Sequence, residues 1–421
     1  MQEHLPVSQI VLINVAGRDR PGITSSLSVI LARYRVTVLD IDQATIHNNL
    51  SWGMLVDLDG CLPAGSDAEP EVTSTDALFK DLLFTAHDLD LDIRFTPVSV
   101  EAYRDWVSAS GHDRHIITLL TRQLGANSIA SVTEVVSRLD WNIESIQRMS
   151  PRIQIAAVDD SSLIAVEFRV NHQCGDIDKL RSECLAISRD IEADIAIQED
   201  NIWRRTRRLV CFDMDSTLIQ GEVIDLMARE AGVGEQVEAI TARAMNGEID
   251  FDTSFRQRLA LLRGLPVSRL QSIDDQLKIT DGAENLLKNL NMLGYKTAIL
   301  SGGFTWFAER LAARLNIDHV HANALDIEDG RLTGEVSGPI INEKRKADLL
   351  LSIAEKEGIC LEQVIAVGDG ANDLPMLKKA GLGIAFHAKP KVRELAANAF
   401  GTVGLDGILY LIGMREAEIS Y

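Results

Sequence analysis

Two passages in the first 200 residues share one order of apolar and polar segments. Each begins with an apolar strand-like run, at 10–15 and 115–120, and continues through a turn into apolar residues at helical spacing. Two further strand-like runs, a second helical pattern and a last short strand follow in both passages, ending near 91–97 and 194–198. The order βαββαβ is that of a ferredoxin-like unit, and its recurrence about 105 residues along the chain indicates an internal duplication.

The pattern changes after about residue 205, where continuous apolar runs alternate with helical segments. The runs at 209–212, 296–300 and 363–367 are typical of central strands in a parallel sheet. We therefore predict an α/β protein with two ferredoxin-like domains, at 1–100 and 110–200, before a doubly wound domain at 205–421. The segment at about 222–278 between the first two of these runs is too helical and too long to be a loop.

Each of these three apolar runs is followed by a loop of polar residues and glycines that could bind a ligand or take part in catalysis. Ligands of doubly wound sheets bind outside the carboxyl ends of the strands, so three such loops should meet at one site. The loops are Asp213-Met214-Asp215-Ser216-Thr217, Ser301-Gly302-Gly303 and Gly368-Asp369-Gly370-Ala371-Asn372-Asp373.

The aspartates of these loops predict a cation site. Asp213 and Asp215 stand one residue apart, and carboxylates that close repel each other unless a cation lies between them. Asp369 and Asp373 add carboxylates from another loop, and such oxygen ligands suit Mg²⁺. The Ser301 hydroxyl and the amides that follow it, ahead of a helix starting near residue 305, predict an anion cradle.

This constellation resembles the haloacid dehalogenase superfamily of phosphotransferases. The likeness covers residues 207 to about 405 and places four motifs in the family's order. The third motif is a single lysine, and counting back from Ile353-Ala354 favours Lys346 over Lys344. The resemblance implies an α/β fold of the haloacid dehalogenase type, with a doubly wound parallel sheet, and a Mg²⁺-dependent reaction.

The segment between the first two motifs resembles the cap of the phosphoserine phosphatase family within that superfamily. The resemblance implies that Glu222 pairs with the substrate ammonium and that Arg258 holds its carboxylate through a bidentate contact. Met245 and Phe251 would shield the site from water. The alternative is that Met245 and Phe251 are core residues of the cap and that Arg258 is a surface charge.

The same resemblance implies a role for each motif residue. Asp213 would attack phosphorus to give an aspartyl phosphate, and Asp215 would act as acid and then as base. Mg²⁺ would be held by Asp213, the backbone carbonyl of Asp215 and Asp369, with Asp373 supporting them. The phosphoryl oxygens would be stabilised by Lys346, Ser301 and Gly302, and Asn372 would contact the phosphate or the nucleophile region.

The first ferredoxin-like unit resembles an ACT domain, a small regulatory fold that often binds amino acids. The Asp19-Arg20-Pro21-Gly22 turn before the first helix carries this likeness, whereas the second unit has Gly125-Ala126 instead. The resemblance implies an amino-acid effector, most plausibly serine, bound near Asp19 and Gly22, and a homodimer that covers open sheet edges. The alternative is that both units serve assembly alone.

Composition and charge limit the other classes of function. Apolar residues make up 46% of the 421 residues, and the formal net charge is -20, which disfavours nucleic-acid binding. No apolar run approaches a membrane span, and no secretory pattern follows Met1, so a cytoplasmic location is expected. The one basic cluster, Arg204, Arg205, Arg207 and Arg208, is expected to be a solvated linker before a strand.

Two rival functions remain open on the sequence. A phosphotransferase that passes the phosphoryl group to another alcohol would use the same motifs. A different class of protein would be an amino-acid sensor with a weak phosphatase half. The retained Asp213, Asp215, Lys346 and Asp369 argue against the sensor, because a vestigial site need not keep its nucleophile.

Overall fold

The protein is described by a computed structural model that covers residues 9–59, 61, 73–109, 114–152, 163–172 and 174–420. The chain divides into two compact units, Met1–Gly111 and His112–Tyr421. Within the described residues, no helix combines the length and the apolar character that a membrane crossing requires.

The first unit is an antiparallel sheet of four strands with two helices packed on it. The strands lie in the order β2-β3-β1-β4, so the first strand is central and pairs with β3 and β4. Of the predicted helical stripes, Leu27, Leu78 and Leu82 are buried, but Leu83 is 49% exposed. An additional C-terminal helix was not predicted. The elements are β1 Ile10–Arg18, α1 Ile23–Arg33, β2 Thr37–Ile46, β3 Asn49–Asp57, α2 Thr73–Asp88, β4 Leu91–Val98 and α3 Val100–Ala109.

The first part of the second unit repeats this plan. Its strands lie in the order β6-β7-β5-β8, which matches the strand order of the first unit position by position. Val132, Val135 and Leu180 are buried on the helix faces that meet the sheet, as their helical spacing predicts. The elements are β5 Arg114–Thr121, α4 Ala126–Arg138, β6 Asn142–Arg148, β7 Ile164–Asn171, α5 Ile177–Asp190 and β8 Asp194–Glu199.

The remainder of the second unit is built on a mostly parallel sheet, as predicted. Strands β11, β10, β9, β13, β14 and β15 run parallel in that order, and β12 pairs antiparallel with β11. The central strand β9 is completely buried. The strands are β9 Leu209–Phe212, β10 Lys296–Phe304, β11 His319–Glu328, β12 Arg331–Ser337, β13 Val364–Gly368, β14 Leu382–Phe386 and β15 Asn398–Phe400.

Helices surround this sheet, and four of them occupy the predicted cap segment. Those four are α6 Val223–Glu230, α7 Gly234–Met245, α8 Phe251–Ala260 and α9 Ser268–Asp274. The others are α10 Ala283–Met292, α11 Thr305–Leu315, α12 Glu343–Glu357, α13 Leu374–Lys379, α14 Pro390–Leu395 and α15 Ile408–Leu411.

The two parts of the second unit share one sheet, which the sequence did not predict. Strand β8 pairs antiparallel with β15, at Ile195 and Ala399. The buried Asp194 carboxylate accepts hydrogen bonds from the N–H groups of residues 401, 402 and 403. The Asn398 side chain accepts one from the N–H of Ile197, at 2.9 Å. The expectation that both ferredoxin-like units leave their edges open is therefore wrong for β8, whose edge is covered within the chain.

The basic cluster is only partly the solvated linker that was expected, because Arg205 and Arg208 are exposed but Arg204 and Arg207 are buried. Arg204 is 1% exposed and Arg207 is 6% exposed. Arg204 forms an ion pair with Glu167 of β7, and its Nη2 donates to the carbonyl of Tyr410 at 3.2 Å. Arg204 thus joins the repeat to the C-terminal end of the chain.

Candidate active site

The candidate site is built where strands β9 and β13 end side by side. Asp213 directly follows β9, and its N–H donates to the carbonyl of Val367 in β13, at 2.9 Å. Asp369 directly follows β13. Because both strands are parallel and paired in register, their carboxyl ends present both aspartates at one edge of the sheet.

Lys346 lies at the centre of the site. Its Nζ is 2.8 Å from Asp213 Oδ2 and 2.8 Å from Asp373 Oδ1, and the side chain is 1% exposed. Burial disfavours its charged form, but the two aspartates outweigh that effect and raise the pKa of Lys346. Lys346 stands in the first turn of α12, where Asn342 caps the helix. Of the two lysines weighed from the sequence, Lys346 is the one that the fold places among the aspartates.

Three carboxylates crowd together around this lysine. One oxygen each of Asp213, Asp369 and Asp373 lie within 4.8 Å of one another. Burial and the charge of Asp373 raise the pKa of Asp213, and they raise that of Asp369 to about 7. One ammonium does not balance two buried carboxylates and one half-buried carboxylate, and hard oxygen donors at this spacing fit a divalent cation such as Mg²⁺.

Asp373 has bonds that fit the supporting role expected of it. Its Oδ1 accepts from Lys346, and its Oδ2 accepts from the N–H of Gly370 at 3.0 Å. Asp213 is held in a similar way, since its Oδ2 lies 2.8 Å from Lys346 Nζ and its Oδ1 accepts from the N–H of Met214 at 2.7 Å. The expected use of the Asp215 backbone carbonyl stays a prediction.

Asp215 lies in a different environment from Asp213. Its Oδ1 accepts from the N–H of Val223 at 2.8 Å, and its Oδ2 is 3.4 Å from Ser301 Oγ. Burial first, and then the charge of Glu222, raise the pKa of Asp215 to about 8, although the Val223 bond opposes this. The carboxyl group can therefore carry a proton at neutral pH, as a general acid requires.

The anion cradle is formed by the end of β10 and not by a separate loop. Ser301 is fully buried, and its Oγ accepts from the N–H of Gly303 at 2.8 Å. A Cβ atom on Gly302 would lie 3.0 Å from the Phe251 ring, and one on Gly303 would collide with Asp215. Glycine is required at both positions because other side chains would fill the site.

Sequence analysis missed a buried amide that supports this cradle. Asn323 of β11 is 2% exposed, its Nδ2 donates to the carbonyl of Gly302 at 2.8 Å, and its Oδ1 accepts from the N–H of Ile341 at 2.8 Å. It ties the glycine segment to the chain that enters α12. No motif marks it, and its one sequence signal is an amide next to apolar strand residues.

Glu222 and Arg258 lie near each other and near Asp215, since the charges of these three groups interact. Desolvation and Asp225 raise the pKa of Glu222, whereas Arg258 lowers it. Burial lowers the pKa of Arg258, with Glu222 and Asp225 opposing that shift. The Arg258 Nε is buried and has no hydrogen-bond partner among the described residues. Asp225 was not predicted, and it is the acidic neighbour of both groups.

The other residues predicted to bind the substrate differ in where they lie relative to the aspartates and the glycine cradle. Phe251 packs over Gly302 and stacks on Phe255 with ring centres 6.1 Å apart. Asn372 is half-buried in the turn after Asp369. Met245 is 62% exposed at the end of α7, with its Sδ 3.4 Å from Lys389 Nζ, outside the aspartate cluster.

Two family models match the chain. Residues 207–381 match the haloacid dehalogenase-like hydrolases, and residues 9–96 match the ACT domain. A phosphoserine phosphatase of Mycobacterium tuberculosis is 37% identical over 99% of this chain and 96% of its own length. This chain belongs to the phosphoserine phosphatase family. Both family resemblances found in the sequence are thereby confirmed, the second for the first ferredoxin-like unit.

Other relatives agree with this membership. A phosphoserine phosphatase of Streptomyces coelicolor is 37% identical over 97% of this chain and 93% of its own length. The crystal structure of a probable phosphoserine phosphatase from Vibrio cholerae superposes with a TM-score of 0.56 and 34% identity, covering 70% of this chain and 86% of that one. A HAD family hydrolase from Salmonella enterica serovar Typhi gives a TM-score of 0.63 and 32% identity, covering 71% and 98%.

Proposed function

We propose that the protein hydrolyses O-phospho-L-serine to L-serine and phosphate, the last step of serine biosynthesis, in the cytoplasm. The observation that carries this proposal is the buried contact of Lys346 with Asp213, beside Asp215 and Asp369, in a chain whose full-length relatives are phosphoserine phosphatases. Both the chemistry and the family membership point to a phosphate monoester as substrate.

In the first step, an Asp213 carboxylate oxygen attacks phosphorus while the bond from phosphorus to the serine oxygen breaks. Asp215 gives its proton to the departing serine oxygen, which its raised pKa of about 8 permits. The product is an aspartyl phosphate on Asp213. Lys346, the Ser301 hydroxyl and the N–H of Gly302 stabilise the phosphoryl oxygens, and Asn372 contacts the phosphate.

In the second step, a water molecule attacks the phosphorus of the intermediate. Asp215, now ionised, takes the proton of that water, and the bond between phosphorus and Asp213 breaks to release phosphate. Mg²⁺, held by Asp213, Asp369 and the Asp215 carbonyl with Asp373 supporting, would offset the negative charge of the carboxylates and the phosphoryl group.

Selectivity for phosphoserine is assigned to the helical cap, residues about 222–278. Arg258 would bind the substrate carboxylate, since it is half-buried and its Nε has no hydrogen-bond partner among the described residues. Glu222 would bind the substrate ammonium. Phe251 already covers the glycine cradle, and Met245, exposed in this conformation, would reach the site only as the cap closes further.

The N-terminal part of the chain is proposed to regulate the enzyme as two ACT-like domains, at 1–100 and 110–200, in a homodimer. Gly22 precedes α1 with a φ of 96°, and no side chain of the described residues caps that helix, so its first amides are open to the carboxylate of an amino acid. Asp19 is exposed beside them and would receive the ammonium of serine. The likeness of the second ferredoxin-like unit to an ACT domain rests on its strand order, which matches that of the first ferredoxin-like unit.

A substrate screen tests the proposed reaction. We expect kcat/KM with Mg²⁺ to be far higher for phosphoserine than for sugar phosphates or p-nitrophenyl phosphate, and serine and phosphate to appear in equal amounts. Added alcohols should not divert the phosphoryl group. A preference for sugar phosphates would contradict the proposal, and transfer to an added alcohol would establish a phosphotransferase instead.

A further inference from the structure

A second cleft lies at the opposite end of the parallel sheet from the aspartates. It is formed where β9 and β10 begin, with a volume of about 1040 Å³, whereas Asp213 follows the other end of β9. The residues that line it are Arg205, Thr206, Arg207, Arg208, Leu293, Gly294, Tyr295, Lys296, Glu357, Ile359, Ile412, Gly413, Met414, Arg415 and Glu418.

The charge of this cleft is opposite to that of the protein. Among these lining residues, five side chains are cationic and two are carboxylates, in a chain of net charge -20. The carboxylates already have partners, since Glu357 pairs with His319 and Glu418 accepts from the N–H of Arg415 at 2.7 Å. Of the cations, Lys296 pairs with Asp318. The excess positive charge therefore resides on arginines.

Arg207 is the buried member of this set. It is 6% exposed, and its side-chain donors reach two uncharged oxygens, the Glu362 carbonyl at 2.9 Å and Gln198 Oε1 at 3.3 Å. Its Nε is buried without a partner among the described residues. Burial, and to a lesser extent Arg204, lower the pKa of Arg207 to about 10, so it stays charged at neutral pH. A buried cation without a carboxylate partner is costly unless an anion binds beside it.

We propose that this cleft binds a small anion that carries phosphoryl groups. Guanidinium groups form paired hydrogen bonds to phosphate oxygens, and Arg205 and Arg208 are exposed to make them. The charge of buried Arg207, from the same segment, adds to theirs. A single amino acid, with one carboxylate and one ammonium, would leave most of the positive charge unbalanced. Nucleic acid is disfavoured because the surrounding protein is acidic.

The direct test is calorimetric titration of the full-length protein with pyrophosphate. The Arg205→Gln/Arg208→Gln variant removes two exposed cleft cations, and Arg229→Gln/Arg263→Gln removes two exposed cations elsewhere in the same unit. We expect the first variant to bind about tenfold more weakly or worse, and the second to stay within about twofold of the unmodified protein. Circular dichroism and the unfolding temperature verify that both variants are folded.

Two further measurements separate this cleft from the catalytic site, which also accepts phosphate. In hydrogen exchange, pyrophosphate should protect residues 204–208 and 412–415. Titration with adenosine diphosphate distinguishes a nucleotide, which would bind more tightly than pyrophosphate, from recognition of phosphoryl groups alone. Equal pyrophosphate affinity in both variants, or no protection of these segments, would overturn the proposal.

Discussion

The buried ion pair between Arg204 and Glu167 provides the sharpest test of how the second unit is held together. Both side chains are nearly inaccessible, at 1% and 4% exposure. Glu167→Ala would leave the Arg204 guanidinium buried with one described hydrogen bond, to the carbonyl of Tyr410. Breaking one side of a buried pair costs about 3–5 kcal/mol, because the remaining charge has lost its compensation. We expect a loss of that size in the free energy of unfolding.

The assay is urea unfolding followed by tryptophan fluorescence, to which Trp203, next to Arg204 in the chain, should contribute. The matched control is Glu284→Ala, which breaks the pair with Arg314 at 2.9 Å, where both side chains are about 60% exposed. Exposed pairs contribute about 0–1 kcal/mol, so this control should change little.

A double replacement separates charge from packing. Arg204→Met/Glu167→Leu keeps apolar volume and removes both charges, and buried pairs replaced in this way often lose no stability. It should recover most of the stability that Glu167→Ala loses. If Glu167→Ala were no more destabilising than Glu284→Ala, the argument that Arg204 joins the repeat to the C-terminal end of the chain would be wrong.

Four further outcomes follow from the catalytic and regulatory proposals. Asp213→Asn should abolish turnover in a folded protein, because an amide cannot form the acyl phosphate, and steady-state release of phosphate above a few percent would contradict the covalent route. Chelation should abolish activity and Mg²⁺ should restore it, so full activity in metal-free protein would contradict the cation site. Arg258→Ala should lower kcat/KM for phosphoserine by the equivalent of about 2–4 kcal/mol, and kcat/KM for p-nitrophenyl phosphate by far less. Arg256→Ala, at an exposed position, is the control. Equal losses on both substrates would contradict carboxylate recognition. Serine inhibition should weaken in Asp19→Ala/Gly22→Val and in a chain lacking the first unit, while phosphoserine turnover survives; unchanged inhibition would leave the first unit an assembly element.

The location of the unit boundary affects how that last experiment is designed. The chain divides between residues 111 and 112, and the second ferredoxin-like repeat shares its sheet with the catalytic part. A truncation beginning near residue 201 would expose the edge of β15 and remove Asp194, which binds three backbone N–H groups of the catalytic part. The truncation that tests regulation without damaging the core therefore removes the first unit alone.

The candidate site was predictable because its chemically active residues belong to short motifs at the ends of strands. Parallel strands place their carboxyl ends at one edge, so Asp213 and Asp369 had to come close once β9 and β13 paired. Lys346 was identified by its spacing within the family's motif order. Asn323 was missed because its hydrogen-bond partners are distant in the chain. Asp225 was missed because its effect is electrostatic, and no local sequence pattern displays it.

The sequence by itself determined the elements of both ferredoxin-like units, the central strands of the parallel sheet and the groups that carry the chemistry. Apolar periodicity reflects which face of each element is buried, and that is a local property of the chain. Only the tertiary structure decided that β8 pairs with β15, that Arg204 is buried against Glu167, and that a cationic cleft lies at the far end of β9. The physical reason is that edge pairing and charge burial depend on partners far along the chain, so the burial of Arg204 could not be predicted before Glu167 was placed beside it.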